Sequence, residues 1–337
     1  MALRIAINGM GVIGRELFKT LWGKEGFEIV CLNDPGINPA NLAYLLKYDS
    51  IYHNYFCGDN IYSGEDSITI EGKTLLLYKE IDINNIPLGE LNVDIVLECT
   101  GNLNRKEKLY GFINAGAKKV IACYHCGNDL PTIAHNVNSG VIKNEDTIIS
   151  FPQMETQVVA TILKIINDNY PISCGMVKAF RSFTNAQPTM DSYTSKDIAY
   201  GRSAPVNITP LSDGFAKTIG LTIPELNGKI QGFTYRSPVI NGSIMDFTLK
   251  IDMTDIYRED INACLKSGCP EILGYNVDAL CSSDAMAFDS PQIIAQRTLV
   301  MPDNNSTLIN ISVAYDNVRG YCNQMARFLN WTKNYWN

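Results

Sequence analysis

The sequence predicts an α/β protein of two domains: one with a parallel sheet covered by helices, and an α+β domain with a mostly antiparallel sheet. Three observations support this. Apolar strands alternate with helical patterns from the start of the chain to about residue 150. These strands are almost continuously apolar, as in sheets buried on both faces. After a long helical pattern at 156–167, strands follow one another without a helix after each.

The elements can be placed in order along the chain. In the first part, strands are predicted at 4–8, 27–32, 93–98 and 119–123, and helices at 15–22 and 105–115. In the second part, strands are predicted at 176–183, 229–236, 244–251 and 308–315, followed by a helix at 320–333. A chain of 337 residues is long enough for two such domains.

Composition argues against several classes of protein. The net charge is −7, whereas a nucleic-acid-binding surface needs concentrated positive charge. No run of about 18 apolar residues occurs, and the first residues run straight into a strand pattern, so we expect neither a membrane span nor a signal peptide. Ten scattered cysteines in such a chain predict reduced thiols in the cytoplasm. Cys123 and Cys126 have C-x-x-C spacing, but no second ligand pair follows, so no metal site is expected.

The segment at residues 9–14 has G-x-G-x-x-G spacing, follows a strand and opens a helix. Gly9 permits a tight turn, Gly11 lets the backbone approach a pyrophosphate, and Gly14 lets helix and strand pack closely. The helix N-terminus presents N–H groups to the phosphates. Asp34 can accept hydrogen bonds from the adenosine ribose and would repel a 2′-phosphate, which favours NAD over NADP. The alternative is a glycine-rich structural turn that binds nothing.

Longer motifs run along nearly the whole chain. They are INGMGVIGR at 7–15, NDP at 33–35, YLLKYDS at 44–50, ECTG at 98–101, GAKKVI at 116–121, PELNGK at 224–229, YRSPV at 235–239, CSSD at 281–284, YDN at 315–317 and GYCN at 320–323. In these motifs and their order, the chain resembles the glyceraldehyde-3-phosphate dehydrogenase family.

The resemblance implies a Rossmann NAD-binding domain of residues 1–150 and 319–337 and a catalytic-type domain of residues 151–318. It also implies a homotetramer, in which a loop at about 187–210 crosses a subunit interface near the cofactor. The residues that it assigns to the cofactor are Gly9, Gly11, Val12, Ile13, Gly14, Asp34, Thr100, Gly101, Cys123 and Asn317. Met10, Val12 and Ile81 differ from the family's usual residues near the pyrophosphate and the adenine.

The chain departs from the family where that family performs its chemistry. By the resemblance, Met154 occupies the position of the nucleophilic cysteine, and Arg181 that of the histidine base. A thioether cannot ionise to a thiolate, and a guanidinium stays protonated at physiological pH, so neither residue can take over the role. The implied anion-binding positions are Thr184, Arg236, Asp213 and Gly214. A carboxylate at position 213 would repel phosphate by like charge.

Two interpretations stay open. The first is a catalytically silent, NAD-binding relative that acts as a regulator or scaffold for a protein partner. The second is an NAD-dependent oxidoreductase for a different aldehyde or oxo substrate, with Cys123, His125 or Glu155 as candidate groups. Each also has a structural explanation: Cys123 as a small buried residue, His125 as a loop residue, and Glu155 as a partner of a helix dipole or of Arg181. Simultaneous change of nucleophile, base and phosphate ligands favours the first interpretation.

Overall fold

The computed structural model describes residues 2–53, 56, 60–195, 197–212 and 214–336. The chain forms two compact units. The first comprises Met1–Ile133, Ser139–Gln153 and Met325–Asn337, and the second Ala134–Asn138 and Met154–Gln324. The domain bounds implied by the family resemblance stay a prediction. Within the described ranges, no helix is both long enough and apolar enough to cross a membrane.

The first unit is built on an eight-stranded sheet. Its strands are β1 (Leu3–Asn8), β2 (Phe27–Asn33), β3 (Ile61–Ser63), β4 (Ser67–Ile70), β5 (Lys73–Tyr78), β6 (Ile95–Glu98), β7 (Lys119–Ala122) and β8 (Ile148–Ser150). They stand in the order β3-β4-β5-β2-β1-β6-β7-β8, and every pair from β5 to β8 is parallel. The helices of this unit include α1 (Val12–Leu21), α2 (Pro39–Lys47) and α3 (Lys106–Asn114).

The parallel part follows directly from the sequence. Every residue of β6 and of β7 is buried, which explains why these strands lack a polar face. Val96, Phe112 and Val120 lie in one apolar cluster that joins these strands to α3. Parallel neighbours need a crossover connection, which α1 supplies between β1 and β2 and α3 between β6 and β7.

An antiparallel extension made of β3, β4 and β5 is not predicted by the apolar pattern. Glu71 and Gly72 join β4 to β5 with positive φ angles of 52° and 81°, as tight hairpin turns require. Along β4 and β5, more buried and more exposed side chains alternate, so these strands contain no continuous apolar run. Because such a ribbon buries only one of its faces, its apolar pattern in the sequence is weaker than that of the parallel strands.

The second unit contains a second sheet. Its strands are β9 (Ile172–Ser182), β10 (Thr209–Ser212), β11 (Ile230–Ser237), β12 (Ser243–Ile251), β13 (Gly274–Asn276), β14 (Gln292–Ile294), β15 (Leu299–Pro302) and β16 (Thr307–Tyr315). They stand in the order β10-β11-β9-β12-β16-β14-β13, with β15 paired to β16. Two pairs, β9–β11 and β13–β14, are parallel and the others antiparallel. The prediction of a mostly antiparallel second sheet is confirmed.

One face of this sheet packs on helices. Alternate residues of β12, such as Met245, Phe247 and Leu249, are buried, and those between them are more exposed. The helices of this unit are α4 (Met154–Asn169), α5 (Phe215–Thr222), α6 (Arg258–Gly268) and the start of α7 (Arg319–Tyr335). α4 is buried along most of its length and contacts α5, α6 and β9.

Candidate functional site

Glycines shape the turn between β1 and α1. Gly9 has φ of +92°, and a Cβ on it would lie 2.9 Å from the backbone nitrogen of Thr100. α1 begins at Val12 rather than at the predicted residue 15, so Gly14 lies in its first turn. A Cβ on Gly14 would lie 1.9 Å from the carbonyl oxygen of Gly9. A side chain is therefore excluded at both positions.

The N-terminus of α1 is open. The N-cap residue, Gly11, has no side chain that could bond to the first N–H groups of the helix. A Cβ atom added to Gly11 would meet no other described part of the chain within 4 Å. Val12 is half-exposed and Ile13 is partly buried. The N–H groups and the positive end of the helix dipole can therefore reach an anion. This end of the helix fits a pyrophosphate.

Asp34 follows β2 and faces the glycine turn. Its Oδ2 accepts a hydrogen bond from the Met10 N–H at 2.7 Å, and its Oδ1 accepts one from the Gly36 N–H at 2.8 Å. A carboxylate has about four acceptor directions, so it can still accept from ribose hydroxyls. A cavity of about 420 Å³ opens beside it, lined by Met10, Gly11, Asp34, Gly36, Ile37, Asn41, Tyr44 and Leu45. Ile81 is outside this lining and is exposed.

A buried polar network joins the carboxyl ends of β1, β2 and β6. The Glu98 carboxylate accepts hydrogen bonds from Asn8 Nδ2 and from the N–H (2.8 Å) and hydroxyl of Thr100. Asn33 Nδ2 donates to Asn8 Oδ1 at 2.6 Å. Burial raises the pKa of Glu98, although Thr100, Asn8 and Tyr124 all donate to it. The network sets the position of the segment that begins with Thr100 and Gly101.

Residues 123–125 follow β7 at the same edge of the sheet. Cys123 and Tyr124 are buried, and the Tyr124 carbonyl accepts a hydrogen bond from the Ser150 hydroxyl at 2.7 Å. Burial raises the pKa of Tyr124 and lowers that of His125. The Sγ atoms of Cys123 and Cys99 are 3.6 Å apart. Residues 123–125 therefore contribute neutral, tightly packed groups to this edge.

In the second unit, Met154 is the first residue of α4 and is buried. A Cβ on Gly320 would lie 3.2 Å from the Met154 methyl carbon, so this methyl group packs over the start of α7. The thioether thus fills apolar space. It carries no proton that a base could remove.

Arg181 forms a buried ion pair with Glu155. Its Nη2 contacts Glu155 Oε1, and the two side chains are only 14% and 4% exposed. Arg181 lies on the face of β9 towards α4, opposite Arg236 in the parallel β9–β11 register. The Arg236 Nη1 donates to the Ser182 carbonyl at 2.8 Å. Two guanidinium groups and one carboxylate therefore stand together on this face.

The remaining anion-binding positions surround the ends of β9 and α5. The Thr184 N–H and hydroxyl both donate to Gln187 Oε1, at 2.8 and 3.1 Å. Gly214 is the N-cap of α5 and makes no side-chain cap. Asp213 lies outside the described residues. The N-terminus of α5 is thus a helix end without a side-chain cap. The repulsion of phosphate by Asp213 stays a prediction.

Asn317 follows β16, next to a fully buried aspartate. Asp316 Oδ1 accepts hydrogen bonds from the N–H groups of Val318 and Arg319, both at 2.8 Å, and so caps α7. Asn317 Oδ1 is buried and accepts no hydrogen bond from the parts of the chain that the structure describes. A buried acceptor of this kind fits a hydrogen-bond donor of a ligand.

Comparisons with known proteins match both parts of the chain that carry these residues. Residues 3–106 match the family model "Glyceraldehyde 3-phosphate dehydrogenase, NAD binding domain", and residues 154–317 match "Glyceraldehyde 3-phosphate dehydrogenase, C-terminal domain". Glyceraldehyde-3-phosphate dehydrogenase from Clostridium acetobutylicum is 36% identical over 328 residues, which cover 97% of each chain. The chain belongs to the glyceraldehyde-3-phosphate dehydrogenase family.

Other relatives agree. Glyceraldehyde-3-phosphate dehydrogenase from Clostridium pasteurianum is 35% identical over 328 residues, 97% of each chain. The enzyme of that name from Lactobacillus delbrueckii subsp. bulgaricus is 34% identical over 336 residues, 98% of each chain. The predicted fold class and the predicted cofactor, NAD, are both confirmed by the family match. In this family member, the glycine turn, Asp34, Thr100 and Gly101 all lie within the NAD-binding match.

The assignment of individual cofactor residues stays a prediction, but the residues of the first unit fit NAD. Gly9 and Gly14 cannot carry side chains, the end of α1 is open, and the cavity beside Asp34 has room for an adenosine. NAD supplies a hydride-accepting ring when bound. The chain would supply backbone N–H groups for the phosphates and carboxylate oxygens for the ribose. In the described ranges, no three or more His, Cys, Asp or Glu side chains are grouped so as to hold a metal ion.

Sequence reasoning missed two features of this family member. One is the Glu98 network, whose signal is a polar residue at the end of each of three apolar strands: Asn8, Asn33 and Glu98. The other is the proximity of Cys99 to Cys123, whose signal is a cysteine just after each of two neighbouring parallel strands. Both signals become specific only when the strand order is known.

Proposed function

We propose that this chain is a glyceraldehyde-3-phosphate dehydrogenase relative that binds NAD, does not perform phosphorylating aldehyde oxidation, and acts by binding, as a regulator or scaffold. The observation that carries the proposal is Met154. This residue stands at the nucleophile position implied by the family motif and is buried at the start of α4. Without a thiolate, no covalent adduct with an aldehyde carbon can form at this position.

The base position supports the same proposal. Arg181 stands there, and its guanidinium is held by Glu155 in a buried ion pair. An arginine remains protonated throughout the physiological pH range, so it cannot accept the proton of a nucleophile. The pair also occupies Glu155, the acid or base candidate of the alternative interpretation.

Neither Cys174 nor Cys322 of the second unit is placed to replace the missing nucleophile. No cysteine occurs between residues 127 and 173. Cys174 lies seven residues before Arg181 on β9, about 23 Å away along an extended strand. Cys322 is on α7 and fully buried. The loss of the thiolate is therefore proposed for position 154 and for these neighbouring parts of the chain.

NAD binding is tested separately from the reaction by calorimetric titration of NAD into the full chain. We expect the Asp34→Ala variant to bind NAD about 10- to 100-fold more weakly, the amount expected when a hydrogen bond to a charged group is lost. Glu90→Ala serves as the matched control, because Glu90 is an exposed carboxylate of the same unit. Equal affinity of wild type and Asp34→Ala would remove Asp34 from the cofactor site.

The loss of the reaction is tested by restoring the two side chains. NADH formation from glyceraldehyde 3-phosphate, phosphate and NAD is followed for wild type, for Met154→Cys with Arg181→His, and for Met154→Ala with Arg181→His. We expect no NADH from the wild type and none from the alanine variant. The cysteine variant should form NADH about a hundredfold or more faster than the buffer control, because a nucleophile and its base return together. Turnover by the wild type contradicts the proposal.

One arrangement favours a second candidate function, an NAD-dependent oxidoreductase for another aldehyde or oxo substrate. Arg181 and Arg236 are side by side on β9 and β11, and two guanidiniums can hold a carboxylate or phosphate. This function is tested by following NADH formation with a set of anionic aldehydes, and NADH consumption with a set of 2-oxo acids. An activity abolished by Arg236→Met, but not by Lys178→Met on the opposite face of β9, would support it.

We also propose the homotetramer, located in the cytoplasm, that the family resemblance implies. It is supported by the outer face of the second sheet, where Met176, Phe233 and Leu308 are exposed. Tyr193 and Ile198 of the loop at 187–210 are more than four-fifths exposed as well. Light scattering after gel filtration should give four times the chain mass. Phe233→Asp should lower this mass, while Lys266→Asp, an exposed change on helix α6, should not.

A further inference from the structure

We propose that Cys99 and Cys123 form a redox site: a disulfide made by a peroxide-type oxidant, which weakens binding of NAD to the first unit. The two Sγ atoms are 3.6 Å apart, and both residues are thiols in this structure. The inference rests on the NAD-binding domain and does not depend on the proposed loss of the family reaction.

The backbone brings the two residues together. β6 and β7 are parallel neighbours whose last register pair is Glu98 with Ala122. The ladder continues by one step, because the Cys123 N–H donates to the Glu98 carbonyl at 2.9 Å. Cys99 and Cys123 therefore stand opposite each other, about 4.8 Å apart at the backbone, within the range that a disulfide spans.

The surroundings select this pair over Cys31 and Cys126, the other thiols that the structure describes in this unit. Cys126 points elsewhere, with its Sγ 3.6 Å from the Leu103 carbonyl, and burial raises its pKa to about 11. Burial also raises the pKa of Cys31, to about 12. Cys99 is partly exposed whereas Cys123 is buried, so an oxidant meets Cys99 first.

The chemistry is balanced with hydrogen peroxide as the oxidant. The Cys99 thiolate attacks one peroxide oxygen, the O–O bond breaks, and the departing hydroxide takes the former thiol proton to become water. Cys123 Sγ then attacks the sulfenic sulfur of Cys99, forming the S–S bond and breaking the S–O bond. The second hydroxide leaves with the Cys123 proton as water. Two thiols are oxidised and one peroxide is reduced.

The disulfide should disturb the glycine turn. Its Cβ atoms must be about 3.8 Å apart, so the ends of β6 and β7 must approach by about 1 Å. Thr100 follows Cys99 directly and packs on Gly9, where a Cβ would already be 2.8 Å from the Thr100 methyl carbon. A shift of Cys99 is therefore passed to the turn that receives the pyrophosphate. By thermodynamic linkage, bound NAD should disfavour the disulfide by the same factor as the disulfide weakens NAD binding.

The test uses the full chain, exposed to increasing hydrogen peroxide, quenched with N-ethylmaleimide, digested and analysed by mass spectrometry. We expect a peptide pair joined through Cys99 and Cys123, before Cys174 on the exposed part of β9 is modified. Cys123→Ser should stop at a sulfenic acid on Cys99, trapped with dimedone. Cys174→Ser is the matched control and should form the disulfide as the wild type does.

Calorimetry then measures NAD affinity of the oxidised protein. We expect the oxidised wild type to bind NAD about tenfold more weakly, within the usual range of coupling between sites. Dithiothreitol should restore the affinity. Cys99→Ser, which cannot form the bond, should bind NAD equally well before and after peroxide treatment. Absence of the Cys99–Cys123 cross-link at peroxide levels that modify Cys174 overturns the proposal. A cross-linked protein with unchanged NAD affinity overturns its functional half.

Discussion

Adding one methyl group at Gly14 should destabilise the first unit. In Gly14→Ala, the new Cβ would lie 1.9 Å from the Gly9 carbonyl oxygen and 3.0 Å from its carbon. Both contacts are to backbone, so no side-chain rotation can relieve them. The turn would have to open by about 1.5 Å to reach the 3.4 Å at which ordinary contacts begin.

The size of the effect follows from these distances. Overpacking a tight site typically costs 1–3 kcal/mol, and a backbone clash lies at the upper end, so we expect a loss of about 3 kcal/mol in unfolding free energy. At Gly11, by contrast, a Cβ would meet nothing within 4 Å, and the φ of −68° suits any residue. Gly11→Ala should cost at most about 1 kcal/mol, the loss of a glycine N-cap.

The two variants should differ in NAD binding as well. Gly11 stands at the open end of α1, so an added methyl group would occupy space that the pyrophosphate needs. Urea denaturation followed by fluorescence measures stability, and calorimetric titration measures NAD affinity. Gly11→Ala should be nearly as stable as wild type but bind NAD at least about tenfold more weakly. A stable Gly14→Ala protein, or a Gly11→Ala protein with full NAD affinity, would refute this reasoning.

Three further predictions concern stability, each measured by urea denaturation. Arg181→Met should lower the unfolding free energy by about 3–5 kcal/mol, because it leaves the Glu155 carboxylate buried without its cation. The double variant Arg181→Met with Glu155→Leu should recover most of this loss. No recovery would contradict a buried ion pair. Burial lowers the pKa of His125 in the folded state, so its contribution is complete above the ordinary histidine pKa of about 6.5 and is lost as the pH falls below it. The wild type should therefore lose more stability than His125→Gln between about pH 7 and pH 5, and parallel curves would contradict the burial of this ring. Trp336→Ala should cost about 3–5 kcal/mol, because the indole is buried and its Nε1 donates to the Asp146 carbonyl at 2.7 Å; an effect below about 1 kcal/mol would show that this ring is not part of the core.

The sequence predicts the parallel half of the first sheet well because burial on both faces leaves a strong trace. β6 and β7 are entirely buried, and the predicted strands at 93–98 and 119–123 overlap them. The strands at 61–78 leave a weaker trace, since exposed and buried residues alternate over only a few positions. Glu71 and Gly72 form their turn, and Glu-Gly is less distinctive than Asn-Gly. Short half-exposed strands thus escape an argument based on apolar runs.

Some residues of the candidate site can be predicted from the sequence, and others cannot. Gly9, Gly14 and Asp34 can be identified from spacing, because each answers a local backbone or hydrogen-bond requirement. The partner of Arg181 cannot, since Glu155 lies 26 residues away and only the packing of α4 on β9 brings the two together. The spacing of Cys99 and Cys123 along the chain also does not show that they are neighbours, because the order of the strands in the sheet determines whether they meet. Local requirements can be read from sequence, whereas contacts between elements need the fold.

The most direct test of the central claim is a rapid-mixing experiment with the wild-type chain at a concentration comparable to that of glyceraldehyde 3-phosphate, with NAD and phosphate in excess. Absorbance of NADH is followed through the first turnover. A family member with a thiolate would produce one NADH per site as the thioester forms, even if later steps were slow. With Met154 at that position, we predict no burst and no steady rate above the buffer control. A burst equal to the concentration of sites would contradict the claim, because it would require a covalent or hydride-transfer route that Met154 and Arg181 cannot supply.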